Sequence, residues 1–127
     1  MSTKEGHKER YEHNKLFLDT INEVEFGDWL ITVCFYCSLH KVSQCMHYVY
    51  GADDSDICSH EKTKNYLKNK NYSLFQDYAM LYSLSRTSRY DCINVSGKTA
   101  QAKDLLSKIE SKSTNLMATK AMELLHP

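Results

Sequence analysis

The chain has 127 residues, 42% of them hydrophobic, with 16 Lys plus Arg against 16 Asp plus Glu and five cysteines. That length can bury a core without metal or disulfide support, and the balanced charge excludes a global field pulling the chain onto nucleic acid or an anionic membrane. An odd cysteine count behind a polar, charged start, "MSTKEGHKERYEHNK", argues for reduced thiols in the cytoplasm and against secretion.

With four glycines and a single proline at the last position, the chain lacks the turn residues that many strands would need. The pattern predicts an all-α, four- to five-helix up-down bundle forming one domain, with its core at about residues 8–125. The first helix is expected from about Lys8 to Asn22, with Leu16, Phe17 and Ile21 as its apolar stripe. After the turn "EVEFGD", Asp28 is the expected N-cap of a second helix, Trp29 to about Tyr50. Its apolar residues, Trp29, Leu30, Val33, Phe35, Tyr36, Leu39, Val42, Met46 and Val49, spread around most of the cylinder, which marks a core helix. His40, Lys41, Gln44 and His47 interrupt it too often for a membrane span.

Ser59 is expected to cap a short third helix ending near Lys70, after the acidic turn "GADDSDICSH". A fourth helix, about Leu74 to Tyr90, places Leu74, Tyr78, Leu81 and Ser85 toward a neighbour. A fifth, about Lys98 to Leu125, carries Ala102, Leu105, Leu106, Ile109, Leu116, Met117 and Leu124 at helical spacing. "ESKSTN", Glu110 to Asn115, is a poor helix stretch where a kink is expected.

Several motifs invite a metal or phosphate reading. "CFYCSLHKVSQCMH", Cys34 to His47, holds three cysteines and two histidines, but zinc knuckles present CxxC from a tight turn rather than from within a helix. These cysteines are expected to be small buried hydrophobes, and no metal is predicted. Haem attachment fails because Ser38 follows the CxxC where histidine is required. "SGKT", Ser96 to Thr99, has Cys92 where a phosphate-binding loop needs its first glycine, so a helix N-terminus is the better reading. "DDSD", Asp53 to Asp56, lacks the alternating ligands and distal Glu of a calcium loop and reads as a solvated acidic turn.

The most informative stretch is "LYSLSRTSRYD", Leu81 to Asp91, where Tyr82, Arg86 and either Arg89 or Tyr90 are three or four apart and share a face. Guanidiniums that grip phosphate beside phenols that stack a base are what single-stranded RNA or a nucleotide requires. Cations at a helix C-terminus, favoured by the dipole, are the alternative. His40 within the core helix is either a hydrogen-bonded core residue or a catalytic one, and His60 at a helix start could reach an anion.

"GDWLITVCFYCSLHKVSQ", "CSHEKTKNYL" and "FQDYAMLYSLSRTSRYD", in this order, resemble the HEPN superfamily of small helical domains. The match is to a branch reading FYxxLH (Phe35, Tyr36, Leu39, His40), then Ser-His (Ser59, His60), then LYxxSxxxRY (Leu81, Tyr82, Ser85, Arg89, Tyr90). The resemblance implies a bundle of four or five helices, commonly a homodimer, in a superfamily of which many members are metal-independent ribonucleases, and no cofactor is predicted. Such domains often serve toxin–antitoxin or defence systems beside a nucleotidyltransferase, and some members only bind nucleotides or partners. The superfamily's ribonuclease motif is Arg, four to six residues, then His. Neither Arg86 nor Arg89 has a histidine at that distance, and His13 stands too close to Arg10. Cleavage needs a base for the 2′-hydroxyl and a cation for the phosphate, so the catalytic candidates are His40, His60, Arg86 and Arg89. Tyr36, Tyr82, Ser85 and Tyr90 are the ligand-binding candidates. The reading from another class is a catalytically inert helical dimer acting through protein contacts, for example with a nucleotidyltransferase.

Overall fold

The computed structural model describes residues 4–90 and 97–126, and the side chain of Tyr90 lies outside that description, as do Asp91, Cys92 and Ser96. It is an all-α bundle of five helices in the described residues: α1 (Lys4–Leu18), α2 (Gly27–Tyr50), α3 (His60–Lys70), α4 (Tyr72–Tyr90) and α5 (Lys98–Leu125). None of them is long and apolar enough to cross a membrane.

α2 is the axis of the fold, because it touches each of the other four helices. Four neighbours require an apolar surface on nearly every side, and Leu30, Ile31, Val33, Cys34, Phe35, Cys37, Val42, Cys45 and Met46 are all buried. Trp29 and Tyr36 are exceptions to the expected core, 59% and 40% exposed. They lie seven residues apart, so they share the one sector of the helix that no neighbour covers. Asp28 is not the N-cap: that position is Phe26, with no side-chain cap bond, and Asp28 sits in the first turn, where its charge meets the helix dipole. The other end closes on Gly51, whose φ of 69° belongs to the left-handed region, with its N–H bonded to the carbonyl of Met46.

α1 lies about four residues earlier than its apolar pattern predicts. Its inward stripe is His7, Tyr11 and Leu18, and of these only His7 and Leu18 are buried, while Leu16 and Phe17 are 71% and 53% exposed. The helix stops where Asn22 accepts the backbone N–H groups of Val24 and Glu25 (3.0 and 3.1 Å) and Thr20 Oγ1 donates to the Phe17 carbonyl (2.7 Å). A side chain that caps the turn competes with another helical turn.

The third, fourth and fifth helices follow their sequence pattern closely. Ser59 Oγ accepts from Lys62 N (3.1 Å) at the start of α3, and Asn71 Oδ1 accepts from Leu74 N (3.0 Å) at the start of α4. Leu74, Tyr78, Leu81 and Ser85 are fully buried along α4. α5 runs unbroken through "ESKSTN". Tertiary contacts override the weak propensity there: Ser113 is fully buried, and Lys112 Nζ reaches Ser73 Oγ (2.8 Å) and Asp77 Oδ2 (2.6 Å) on α4. Leu124 lies outside the packed stripe, exposed near the end of the helix.

Candidate functional site

The start of α3 meets the second half of α4 above Phe35 of α2. Ser59 caps α3, and Thr63 Oγ1 donates to the Ser59 carbonyl (2.9 Å), which fixes the turn that carries His60. The imidazole of His60 then stacks on Tyr82, ring centroids 3.7 Å apart and 25° from parallel. Phe35 supports both from below, its ring 5.5 Å from His60, 5.6 Å from Tyr78 and 5.3 Å from Tyr82. Offset and edge-on aromatic contacts of this kind hold ring orientation more tightly than aliphatic packing does.

His60 Nδ1 lies 2.9 Å from Tyr78 Oη. Tyr78 is fully buried, and burial raises its hydroxyl well above the ordinary phenol range, so it stays protonated. Among the described residues its hydroxyl bonds only to His60. The phenol proton is therefore assigned to Nδ1, which leaves the proton of the neutral ring on Nε2. Burial first, then repulsion from Lys64 and Arg89, lowers the His60 pKa, with Glu61 opposing. The ring is neutral at pH 7, and in this tautomer its Nε2 is a donor rather than a base.

Arg86 Nη1 donates to Tyr82 Oη at 3.4 Å, and Arg89, one turn further along α4, is half-buried and close enough to act electrostatically on His60. His60, Tyr82, Arg86 and Arg89 thus converge from two helices. Tyr82 has one ring face covered by His60, so Tyr36, packed on Phe35 at 5.5 Å and 40% exposed, offers the more open aromatic surface. Ser85 is fully buried beneath this face, its Oγ without a hydrogen-bond partner among the described residues. The side chain of Tyr90 is outside the described residues.

His40 does not join the group. Its Nδ1 lies 2.9 Å from Nδ1 of His7 on α1, a residue the apolar pattern left outside the first helix. Tyr78 and Lys64 also escaped the sequence reading, Tyr78 because it reads as one more core position. A buried tyrosine hydroxyl needs a partner, and that need was the available signal.

The remaining motifs are structural. Cys34, Cys37 and Cys45 are fully buried, and burial pushes their thiols up to about 12, about 12 and about 11. Among the described residues no three His, Cys, Asp or Glu side chains are placed to hold a metal. "DDSD" is closed on itself, Asp53 Oδ1 accepting from Ser55 N (3.0 Å) and Asp56 N (3.2 Å). Gly97 is the N-cap of α5, so "SGKT" leads into a helix start. The chain matches no family model, no curated protein and no solved structure.

Proposed function

We propose that this protein is a HEPN-like helical module that binds single-stranded RNA or a nucleotide on the face formed by His60, Tyr82, Arg86 and Arg89, working in the cytoplasm without a cofactor. The observation that carries the reading is the His60–Tyr82 stack beside two arginines contributed by one helix. Arg86 and Arg89 supply the cations a phosphate needs, and Tyr36 supplies an open ring for a base. With no net charge behind it, the face must recognise its ligand through local contacts.

His60 Nε2 is enclosed, without a hydrogen-bond partner among the described residues, and carries the ring proton in the assigned tautomer, so it offers no base for the 2′-hydroxyl, which favours binding over cleavage. Titration of the purified protein with short labelled single-stranded RNA, scored for binding and turnover, tests the reading. Wild type is expected to bind, and Arg86→Ala/Arg89→Ala to lose binding. Equal affinity in both would remove the proposed face. Turnover that disappears in His60→Gln would make the protein a ribonuclease with an altered motif, of the toxin–antitoxin or defence type.

A second reading, an inert helical dimer working through protein contacts such as those with a nucleotidyltransferase, is favoured by a separate observation. Phe17, Ile21, Phe26 and Trp29 wall an apolar hollow of about 530 Å³ at the α1–α2 turn. Exposed apolar patches of that kind mark interaction surfaces. Absence of any RNA binding would transfer the proposal to this surface.

A further inference from the structure

We propose that α1 is a latch held on α2 through the neutral His7–His40 pair, and that mild acid releases its N-terminal half. The inference does not depend on the RNA-binding reading.

The helix is docked in an unusual way. α4 packs through Leu74, Tyr78 and Leu81, all fully buried, whereas Leu18 is the only apolar residue of α1 that is fully packed away. Its larger apolar side chains, Leu16 and Phe17, face outward. α1 thus brings little apolar surface of its own to this docking, and polar contacts supplement the burial of the α2 face. At the C-terminal half, Glu110 of α5 accepts from Tyr11 Oη and from Lys15 Nζ (2.6 Å). At the N-terminal half the link is His7, 7% exposed.

Two contacts of His7 depend on protonation. The Nδ1 atoms of His7 and His40, 2.9 Å apart, can bond only if one donates and the other accepts, so a second proton breaks the bond. The His7 ring also lies 5.6 Å from the ring of His47. His47 Nδ1 is 2.6 Å from the carbonyl of Ala52, which can only accept, so that nitrogen carries its proton. His7 Nε2 is enclosed and has no hydrogen-bond partner among the described residues, leaving no hydrogen bond to stabilise a charge there.

The charged groups around the cluster weigh against protonation in place. His40 and His47 face His7 from α2, and Arg10 of α1 acts on His40. Asp54, after α2, is the carboxylate that favours a proton on His7, and it lies 3.7 Å from Nε2 of His47. Lys41 and Lys4 are engaged over the rings of Tyr11 and Tyr48. Burial first, then the two neighbouring rings, lowers the His7 pKa from 6.5 to about 4, and His40 is lowered as well.

A released His7 binds its proton near pH 6.5 and a docked one only near pH 4. The docked helix is thus fully favoured above pH 6.5 and loses ground as pH falls to about 4, below which the loss is complete. At tenfold per pH unit across that interval, His7 alone shifts the docked-to-released ratio by up to about 300-fold. The C-terminal half stays tied to α5 through the Tyr11 and Lys15 contacts with Glu110, so the release is confined to the His7 end of the helix.

The test is amide hydrogen exchange on the full chain from pH 7.5 to 4, corrected for intrinsic rates, comparing residues 5–11 with the α4 stripe. In wild type, protection of residues 5–11 is expected to fall at least tenfold more than that of α4. In His7→Leu the fall is expected to be absent. Equal loss in both helices, or no loss at all, overturns the proposal, as does an unchanged response in His7→Leu. Should His7→Leu not fold, the wild-type profile alone decides by the same criteria.

Discussion

Replacing Tyr78 with Phe removes one atom from the centre of the candidate site and nothing from its shape. Tyr78 is fully buried and its hydroxyl meets His60 Nδ1 at 2.9 Å. The loss is one hydrogen bond, about 0.5–1.5 kcal/mol, plus part of the roughly 1–3 kcal/mol cost of stranding the Nδ1 acceptor. His60 is only half-buried, so water can partly serve the stranded nitrogen and the sum belongs near the lower end, about 1.5 kcal/mol. For a chain of this size, with a urea slope of about 2 kcal/mol/M, the denaturation midpoint should fall by about 0.7 M at pH 7.5. Imidazole nitrogen shifts by NMR should at the same time show His60 losing its preference for the Nε2–H tautomer. A midpoint within about 0.2 M of wild type, with the tautomer unchanged, would refute the assigned bond and with it the argument that His60 offers no base.

Gly51→Ala should destabilise by about 1–2 kcal/mol in urea denaturation purely through backbone strain, because φ is +69° and nothing lies within 4 Å to clash with the added methyl. Leu67→Ala, fully buried on α3, should cost about 2–5 kcal/mol by the same assay, according to how far the site collapses. Thiol titration of native protein at pH 8 should modify exposed Cys58 at once, while Cys34, Cys37 and Cys45 react only as the chain unfolds, with peptide mapping to assign each site. Glu110→Gln removes the ion pair with Lys15 and weakens the acceptor for Tyr11. It should cost about 1 kcal/mol and lower hydrogen-exchange protection of residues 11–18 before that of α4.

The helices that could be located from the sequence are those whose inner face is apolar or whose ends carry a capping side chain. α3 begins where Ser59 predicts and α4 buries Leu74, Tyr78, Leu81 and Ser85 as their spacing requires. α1 resisted because hydrophobic periodicity finds Leu16 and Phe17, which face solvent, and misses His7, which faces inward. At the candidate site, the i to i+4 relation of Tyr82 and Arg86 was legible because one helix sets it. The stacking of His60 on Tyr82 depends on how α3 returns over α4, and local spacing holds no record of that. His40 was read as a candidate partner of the arginines, yet its neighbour His7 stands 33 residues away in sequence, on a helix whose register the pattern placed differently.

Trp29 and Tyr36 are the exposed large apolar side chains of α2, while its buried positions serve four different neighbours at once. Any substitution there must suit several partners together, so neutral changes are scarce along it. α1, whose larger apolar side chains Leu16 and Phe17 face solvent and which packs mainly on α2, is under a weaker constraint. Divergent descendants of this chain should therefore preserve the length and volume pattern of α2 while α1 drifts, and a search for distant kin should weight Leu30 to Met46 above the rest.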